Sequence, residues 1–123
     1  RYVSVTGVQT CALPISAAGV AYAFRSQRNL KIQVILGLAA VAAGFALGIS
    51  RVDWLAIVLC IIVVSVAEVV NTAIESAVDL ASPEWHELAR AAKDAAAGAV
   101  LLASAGSVIV GLIVFAPYAL DLL

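Results

Sequence analysis

The chain has 123 residues, of which 64% are hydrophobic and 12% are charged, and its formal net charge is −1. Soluble domains have about 45–50% apolar and about 25% charged residues, so this composition excludes an ordinary soluble domain and indicates one small integral membrane domain. The net charge gives no support for nucleic-acid binding. The two cysteines, Cys11 and Cys60, do not suggest a disulfide.

The first fifteen residues do not share the pattern of the rest. Residues 1–15 have no helical period and no basic region followed by a long apolar core, so they do not predict a signal peptide. They resemble translated sequencing-adaptor DNA. We therefore expect 1–15 to be a foreign or disordered stretch that replaces the natural start, and 16–123 to be the membrane domain. Residues 17–30, with Tyr22 and Phe24 at headgroup level, are expected to form an amphipathic surface helix.

Three apolar spans follow, at about residues 32–50, 53–80 and 83–117. About 20 residues cross a bilayer core, so the first and third spans qualify by themselves. The second qualifies if its acidic end lies at the interface or inside a helical bundle. Ser82 is expected to be an N-cap, with Pro83 at the first helical position of the third span. The prediction is an all-α protein with three transmembrane helices.

Basic residues flank these spans unevenly. Arg51 lies between the first two spans. Arg25, Arg28 and Lys31 precede the first span, and Arg90 and Lys93 precede the uncharged stretch of the third span, residues 95–120. Because short cytoplasmic segments carry an excess of Lys and Arg, the N-terminus and the second connection are predicted to be cytoplasmic. The acidic end of the second span then faces the compartment that holds ATP and Mg²⁺.

Four polar residues, Glu68, Asn71, Glu75 and Asp79, belong to the second span. At about 100° per residue they fall on one stripe, and at about 1.5 Å rise per residue Glu68 and Glu75 lie roughly 10 Å apart. Ionisable groups inside a membrane helix are rare and usually functional. The stripe suits a divalent cation, a proton relay or phosphate transfer. The alternative is a cytosolic helix end whose acids are simply solvated.

The polar residues of the second and third spans form an ordered set of motifs: Glu68-x-x-Asn71-Thr-Ala-Ile-Glu75-x-x-x-Asp79, Pro83-Glu-Trp-His86 and Ala89-x-x-x-Lys93-Asp94. In order and spacing they resemble the prokaryotic diacylglycerol kinase family, which includes the undecaprenol kinases of Gram-positive bacteria. The resemblance covers roughly residues 19–117. It implies a homotrimer of three-span protomers with an N-terminal surface helix in the bacterial plasma membrane.

The resemblance also implies an activity, in which the γ-phosphate of ATP passes to a lipid hydroxyl at the cytoplasmic face with Mg²⁺ as cofactor. Family enzymes use neither a P-loop nor a protein-kinase motif, and neither occurs in this sequence. By resemblance Glu68 is the general base, Asn71 orients the base, the lipid or a phosphate, and Glu75 holds Mg²⁺. The remaining residues implied to contact the nucleotide are Glu84, Trp85, His86, Lys93 and Asp94.

Two positions depart from the family pattern. Gln27 stands where many members have Glu, and Ala21 aligns with a Glu that joins the metal site in Gram-negative members. Either water and phosphate oxygens complete the Mg²⁺ shell, or the protein is impaired. Undecaprenol is the favoured substrate, with diacylglycerol as the alternative. A different class also stays open, in which the stripe from Glu68 to Glu75 forms a non-catalytic ion or proton pathway.

Overall fold

A computed structural model describes the backbone of residues 5–26 and 28–123, and the side chains of residues 13–23, 25 and 29–123. This part of the chain contains four helices, α1 (Val5–Ser26), α2 (Arg28–Leu47), α3 (Arg51–Ala81) and α4 (Glu87–Asp121), and no strand. The predicted all-α class is confirmed. α3 packs most extensively against α4, and α2 lies beside α3.

Three helices within the described ranges are long and apolar enough to cross a membrane, in the segments Asn29–Leu47, Arg51–Ala81 and Glu87–Asp121. This confirms the three apolar spans expected from the sequence. Many of their large apolar side chains are exposed, among them Leu38, Leu102 and Ile113. Helices that are apolar all round are stable when lipid or further protein surrounds them.

The connection between α2 and α3 is set by one glycine and one cap. Gly48 has a φ of 62°, which glycine adopts without the steric penalty of other residues, and it ends α2 at Leu47. Ser50 then caps α3, because its Oγ accepts a hydrogen bond from the backbone N–H of Asp53 at 3.2 Å. α2 therefore ends three residues before the expected boundary at residue 50, and α3 begins at Arg51.

The predicted N-cap at Ser82 was wrong. Ser82 ends α3, since its backbone N–H donates to the carbonyl oxygen of Val78 at 2.8 Å. Its Oγ donates to the carbonyl oxygen of Glu84 at 3.0 Å, which shapes the loop rather than starting a helix. The cap of α4 is His86, whose Nδ1 accepts from the backbone N–H of Leu88 at 3.1 Å. α4 consequently begins at Glu87.

α4 continues through Pro117 to Asp121, beyond the expected end near residue 117. Tyr118 anchors this last segment, because its hydroxyl donates to Asp53 Oδ2 at 2.6 Å and accepts from the backbone N–H of Ser50 at 3.1 Å. Proline is tolerated in membrane helices where neighbouring groups hold the segment. A small apolar cluster of Ile49, Ile57 and Val114 lies beside this anchor.

α1 is already helical at Val5 and ends at Ser26, so its bounds differ from the surface helix expected at residues 17–30. The division of the chain at residue 15 stays a prediction. The hydroxyl oxygen of Tyr22 lies 3.4 Å from Ser76 Oγ, so the end of α1 lies beside the second half of α3. Gln27 and the side chains of Cys11, Phe24 and Arg28 lie outside the described residues.

Candidate active site

Exposure increases steadily along the polar stripe of α3. Glu68 is 1% exposed and Asn71 is 7% exposed. Glu75, two turns after Glu68, is half-buried, and Asp79 is exposed near the end of the helix. The stripe therefore runs from the interior of the bundle to its surface. Simple solvation of all the acids, the alternative reading of the stripe, does not fit the burial of Glu68.

Glu68 lies between α2 and α4. Its Oε1 accepts a hydrogen bond from Gln33 Nε2 at 3.0 Å, and the same nitrogen lies 3.4 Å from Ser104 Oγ. Thr72, which is also buried, donates from Oγ1 to the backbone carbonyl oxygen of Glu68 at 3.0 Å. A buried ionisable group needs such hydrogen bonds because protein replaces the water around it. The carboxylate is thus held at the meeting point of three helices.

Asn71 and Glu75 form the middle of the stripe. Asn71 Nδ2 donates to Glu75 Oε1 at 2.9 Å, which joins two residues one helical turn apart. Asn71 Oδ1 is buried and accepts no hydrogen bond from the described residues. A buried acceptor without a partner is uncommon and calls for a functional explanation. The pair offers a carboxylate and an amide oxygen at the border between the interior and the surface.

Hard oxygen donors of this kind suit Mg²⁺, which is usually held by one or two carboxylates together with waters and substrate phosphates. No group of three or more His, Cys, Asp or Glu side chains that could hold a metal ion occurs within the described residues. Glu75 and the orphaned Oδ1 of Asn71 therefore fit a magnesium ion that shares its shell with phosphate oxygens. They do not fit a metal enclosed by protein ligands alone.

A pocket of about 400 Å³ opens where the stripe reaches the surface. It is formed by the end of α3, the loop that follows and the first turns of α4. Its polar and aromatic lining includes all five residues that the sequence suggested for nucleotide contact, Glu84, Trp85, His86, Lys93 and Asp94. The lining also includes Asp79, Ser82 and Arg90. Small-molecule sites are typically concave and of roughly 300–1,000 Å³, so the pocket is of a suitable size.

Two ion pairs organise the wall of this pocket. Lys93 Nζ donates to Asp79 Oδ1, which ties α4 to the end of α3. Arg90 Nε lies 3.2 Å from Asp94 Oδ1, one turn apart on α4. Both pairs are largely solvent-exposed, and exposed pairs contribute little to stability. Their cations can therefore exchange carboxylate partners for phosphate oxygens with little loss of stability.

The predicted site residues divide into two groups in the fold. Glu68, Asn71 and Glu75 form the inner part of the stripe, which ends at Asp79, while the five residues suggested for nucleotide contact line the pocket. Lys93 connects the two groups through Asp79, although the sequence did not pair them. Trp85 is 77% exposed, and His86 is occupied as the cap of α4. Ala21 is half-buried, whereas Gln27 lies outside the described residues.

Sequence reasoning missed two residues of this region. Gln33 hydrogen-bonds Glu68, and Arg90 lines the pocket and pairs with Asp94. A signal existed for each of them. Gln33 interrupts the uncharged first span with a long polar side chain, and Arg90 stands four residues before Asp94 at a spacing typical of helical ion pairs.

Three apolar helices with a buried carboxylate at their junction and a charged pocket at one end define a polytopic membrane protein with a polar site on the membrane surface. Comparison with known families gives the particular group. The family described as prokaryotic diacylglycerol kinase matches residues 14–115. The chain belongs to this family of bacterial membrane proteins.

Individual relatives carry two different names. A diacylglycerol kinase of Synechocystis sp. is 44% identical over 107 residues, which cover 86% of this chain and 61% of the relative. An undecaprenol kinase of Bacillus subtilis is 42% identical over 93 residues, 76% of either chain. A diacylglycerol kinase of Pseudomonas aeruginosa is 32% identical over 88 residues, 72% of either chain. The chain thus spans about three-fifths of the length of its Synechocystis relative.

Proposed function

We propose that the protein transfers the γ-phosphate of ATP to the hydroxyl group of a membrane lipid. The observation that carries this proposal is the polar stripe of α3, which runs from buried Glu68 through Asn71 and Glu75 toward the end of the helix, where the charged pocket opens. A lipid alcohol approaches from the membrane and a nucleotide from the water, so their reacting groups have to meet at such a border. The kinase names of the relatives support the same reaction.

In this proposal Glu68 is the general base. It takes the proton of the lipid hydroxyl while the hydroxyl oxygen forms a bond to the γ-phosphorus of ATP, and the bond to the β-phosphate oxygen breaks to release ADP. Phosphoryl transfer requires little covalent chemistry from the protein, so positioning and charge stabilisation contribute most of the rate enhancement. A general base contributes typically 10²–10⁴-fold.

The pocket residues would bind the nucleotide. Lys93 supplies a cation near Asp79, and the positive charge can stabilise negative charge on the phosphates. Arg90, which pairs with Asp94 on the same wall, offers a second cation. We assign Glu84, Trp85 and His86 to the nucleotide because they line the same pocket. Trp85 presents an exposed aromatic face on which a base could stack.

Glu75 and Asn71 would hold Mg²⁺ through carboxylate and amide oxygens, with waters and phosphate oxygens as the other ligands. Bound Mg²⁺ would neutralise charge on the phosphates of ATP. Glu75 would keep its hydrogen bond from Asn71 Nδ2, which restrains the carboxylate within the stripe. This donor set needs no carboxylate at Ala21 or Gln27.

The substrate favoured by the sequence is undecaprenol, which would be converted to undecaprenyl phosphate. The 42% identity to a relative named undecaprenol kinase supports it. Diacylglycerol, which would give phosphatidic acid, is the second candidate, and the 44% identity to a relative named diacylglycerol kinase supports that reading. Both lipids present one hydroxyl at the membrane surface, so the carboxylate stripe suits either.

We further propose a homotrimer with the N-terminus and the pocket on the cytoplasmic side of the bacterial plasma membrane. The distribution of basic residues supports this orientation, since the end that carries Arg25, Lys31, Arg90 and Lys93 is the end that would face the cytoplasm. The apolar outer faces of α2 and α4 support contact with lipid or with other protomers.

The experiment that tests the reaction offers labelled ATP and Mg²⁺ to the purified chain, with undecaprenol and diacylglycerol in parallel micelles. Label in undecaprenyl phosphate that disappears in Glu68→Gln would support both the reaction and the favoured substrate. Label mainly in phosphatidic acid would keep the reaction and reverse the substrate. Ion or proton flux across vesicle membranes that contain the protein, without any phosphorylated lipid, would contradict the kinase. It would support the alternative of a non-catalytic ion or proton pathway.

A further inference from the structure

The side chain of Gln33 contacts the proposed base from a different helix. Gln33 lies on α2 and Glu68 on α3, 35 positions apart in the sequence, and their side chains meet at 3.0 Å. The second hydrogen of the same amide nitrogen points to Ser104 Oγ on α4, at the longer distance of 3.4 Å. One amide therefore links the carboxylate to two other helices.

The orientation of this amide follows from its surroundings. A carboxylate oxygen is an acceptor, so the nitrogen of Gln33 has to face Glu68, because a flipped amide would bring two acceptors together. The consequence is that Gln33 Oε1 is buried and accepts no hydrogen bond from the described residues. An apolar side chain of similar length would fill this place without an unpaired acceptor of its own, but it would leave the buried Oε1 of Glu68 without its donor. Simple packing therefore does not explain a glutamine here.

We propose that Gln33 is a positioning residue for the base, an inference that rests on the proposed function of Glu68. Glutamate has several rotatable bonds, whereas a base must lie within about 2.6–3.2 Å of the proton that it removes. The hydrogen bond from Gln33 fixes Oε1 and leaves Oε2 to take the proton of the lipid hydroxyl. A neutral amide does this without the ion pair that a lysine or arginine would form with the carboxylate.

The test compares four chains in the same phosphate-transfer assay with undecaprenol and with diacylglycerol: wild type, Gln33→Met, Gln33→Glu and Ser107→Ala. Methionine keeps the unbranched length of glutamine and removes the donor. Glutamate keeps the length and the polarity, so it serves where methionine prevents folding, and its charge repels Glu68. Ser107→Ala removes a half-buried hydroxyl from α4 one turn after Ser104 and is the matched control.

We expect kcat to fall roughly 10–100-fold in Gln33→Met, the range that one hydrogen bond to a charged group represents, and at least as far in Gln33→Glu. The KM for ATP should stay within about twofold, because Gln33 is not among the residues that line the nucleotide pocket. The kcat of Ser107→Ala should stay within about twofold of wild type. In a Glu68→Asp background, where the carboxylate is drawn back by one methylene, Gln33→Met should change kcat less than threefold.

A kcat within about threefold of wild type in either folded Gln33 variant would overturn the inference, as would a loss confined to KM for ATP. If Gln33→Met lowers kcat by the same factor in the wild-type and Glu68→Asp backgrounds, the inference is also overturned. The effects of the two substitutions on kcat cannot be additive when Gln33 acts through Glu68. Glu68→Gln separates this inference from the proposed function. If Glu68→Gln is inactive and Gln33→Met is fully active, only the inference about Gln33 fails, whereas an active Glu68→Gln removes the proposed base itself.

Discussion

The two ends of the helical bundle differ in how completely their polar groups are paired. At one end, which we call the turn end, α2 turns into α3 and the last turns of α4 dock against them; it comprises Gly44, Gly48, Ser50, Asp53, Trp54 and Tyr118. At the other, which we call the site end, α3 turns into α4; it comprises Gln33, Glu68, Asn71, Glu75 and the residues that line the pocket.

The turn end is closed by short contacts. Tyr118 bonds both Asp53 and the backbone of Ser50, and the rings of Phe45 and Trp54 lie with their centroids 4.8 Å apart. Trp54 fits there because Gly44 has no side chain: a Cβ at Gly44 would lie 2.7 Å from the indole ring. The Tyr118 hydroxyl, the Asp53 carboxylate and the backbone N–H of Ser50 all have partners, which is the arrangement expected of a purely structural contact.

The site end has the opposite character. Asn71 Oδ1 and Gln33 Oε1 are buried acceptors without a partner among the described residues. The ion pairs of Lys93 and Arg90 are exposed and exchangeable. Unpaired acceptors and loosely held cations add little stability, but they suit a ligand that brings its own charge and donors. Stability and chemistry are thus divided between the two ends, and four substitutions test this division.

The largest effect is expected from Glu68→Gln. The substitution keeps the size of the side chain and an acceptor for Gln33 but removes the base, so kcat for lipid phosphorylation should fall roughly 10²–10⁴-fold. Binding of ATP, measured by equilibrium titration, should be unchanged. A kcat within tenfold of wild type would show that another group removes the proton.

Lys93→Met should have the next largest effect. Loss of a cation at the pocket wall should lower kcat/KM for ATP roughly 10–100-fold, since hydrogen bonds to charged groups are worth about 1.5–3 kcal/mol. Steady-state kinetics with varied ATP measure it. Arg51→Met, which removes an exposed basic residue at the start of α3, is the control and should leave kcat/KM unchanged. Equal losses in the two variants would point to a general effect of charge.

Glu75→Gln should change the magnesium requirement. The amide can still accept from Asn71 Nδ2, but it offers Mg²⁺ no negative charge. The concentration of Mg²⁺ for half-maximal activity should rise at least roughly tenfold, because even residues that merely support metal ligands are worth 10–100-fold in affinity. Asp121→Asn, at the exposed end of α4, should leave the Mg²⁺ dependence unchanged. An unaltered dependence in Glu75→Gln would exclude Glu75 as a ligand.

Gly44→Ala should have the smallest effect on activity and act on stability instead. The new methyl group would press on Trp54, and overpacking of this kind typically destabilises by about 1–3 kcal/mol. Unfolding in detergent measures the change. Gly106→Ala is the matched control, because a Cβ built there meets no heavy atom of the chain within 4 Å. If the two alanine variants unfold alike, the close approach of Trp54 does not hold the turn end together.

The sequence predicted the parts of the molecule that depend on local periodicity. The stripe of Glu68, Asn71 and Glu75 follows from about 100° per residue along a single helix, and the three spans follow from their length without charges. Contacts between different helices could not be predicted from this periodicity. The partners of Glu68 and Lys93 are Gln33 on α2 and Asp79 on α3, and no spacing within one helix indicates them.

Local signals also failed where two roles competed for one residue. Ser82 followed by Pro83 has the pattern of an N-cap. The backbone N–H of Ser82 nevertheless donates to the carbonyl oxygen of Val78, so Ser82 is the C-cap of α3. Pro117 similarly suggested a helix end, whereas the contacts of Tyr118 hold the helix to Asp121. In both cases a hydrogen bond decided the boundary.

The most direct test of the division between the two ends measures kcat and thermal unfolding together in wild type, Glu68→Gln and Gly44→Ala. We predict that Glu68→Gln unfolds at the same temperature as wild type or at a higher one, and loses phosphate transfer. Gly44→Ala should unfold at a lower temperature, and it should keep the wild-type kcat at temperatures below its unfolding transition. The contrary result would be a Glu68→Gln chain that transfers phosphate normally, or a folded Gly44→Ala chain that does not. Either outcome would show that chemistry and stability are not separated along the bundle.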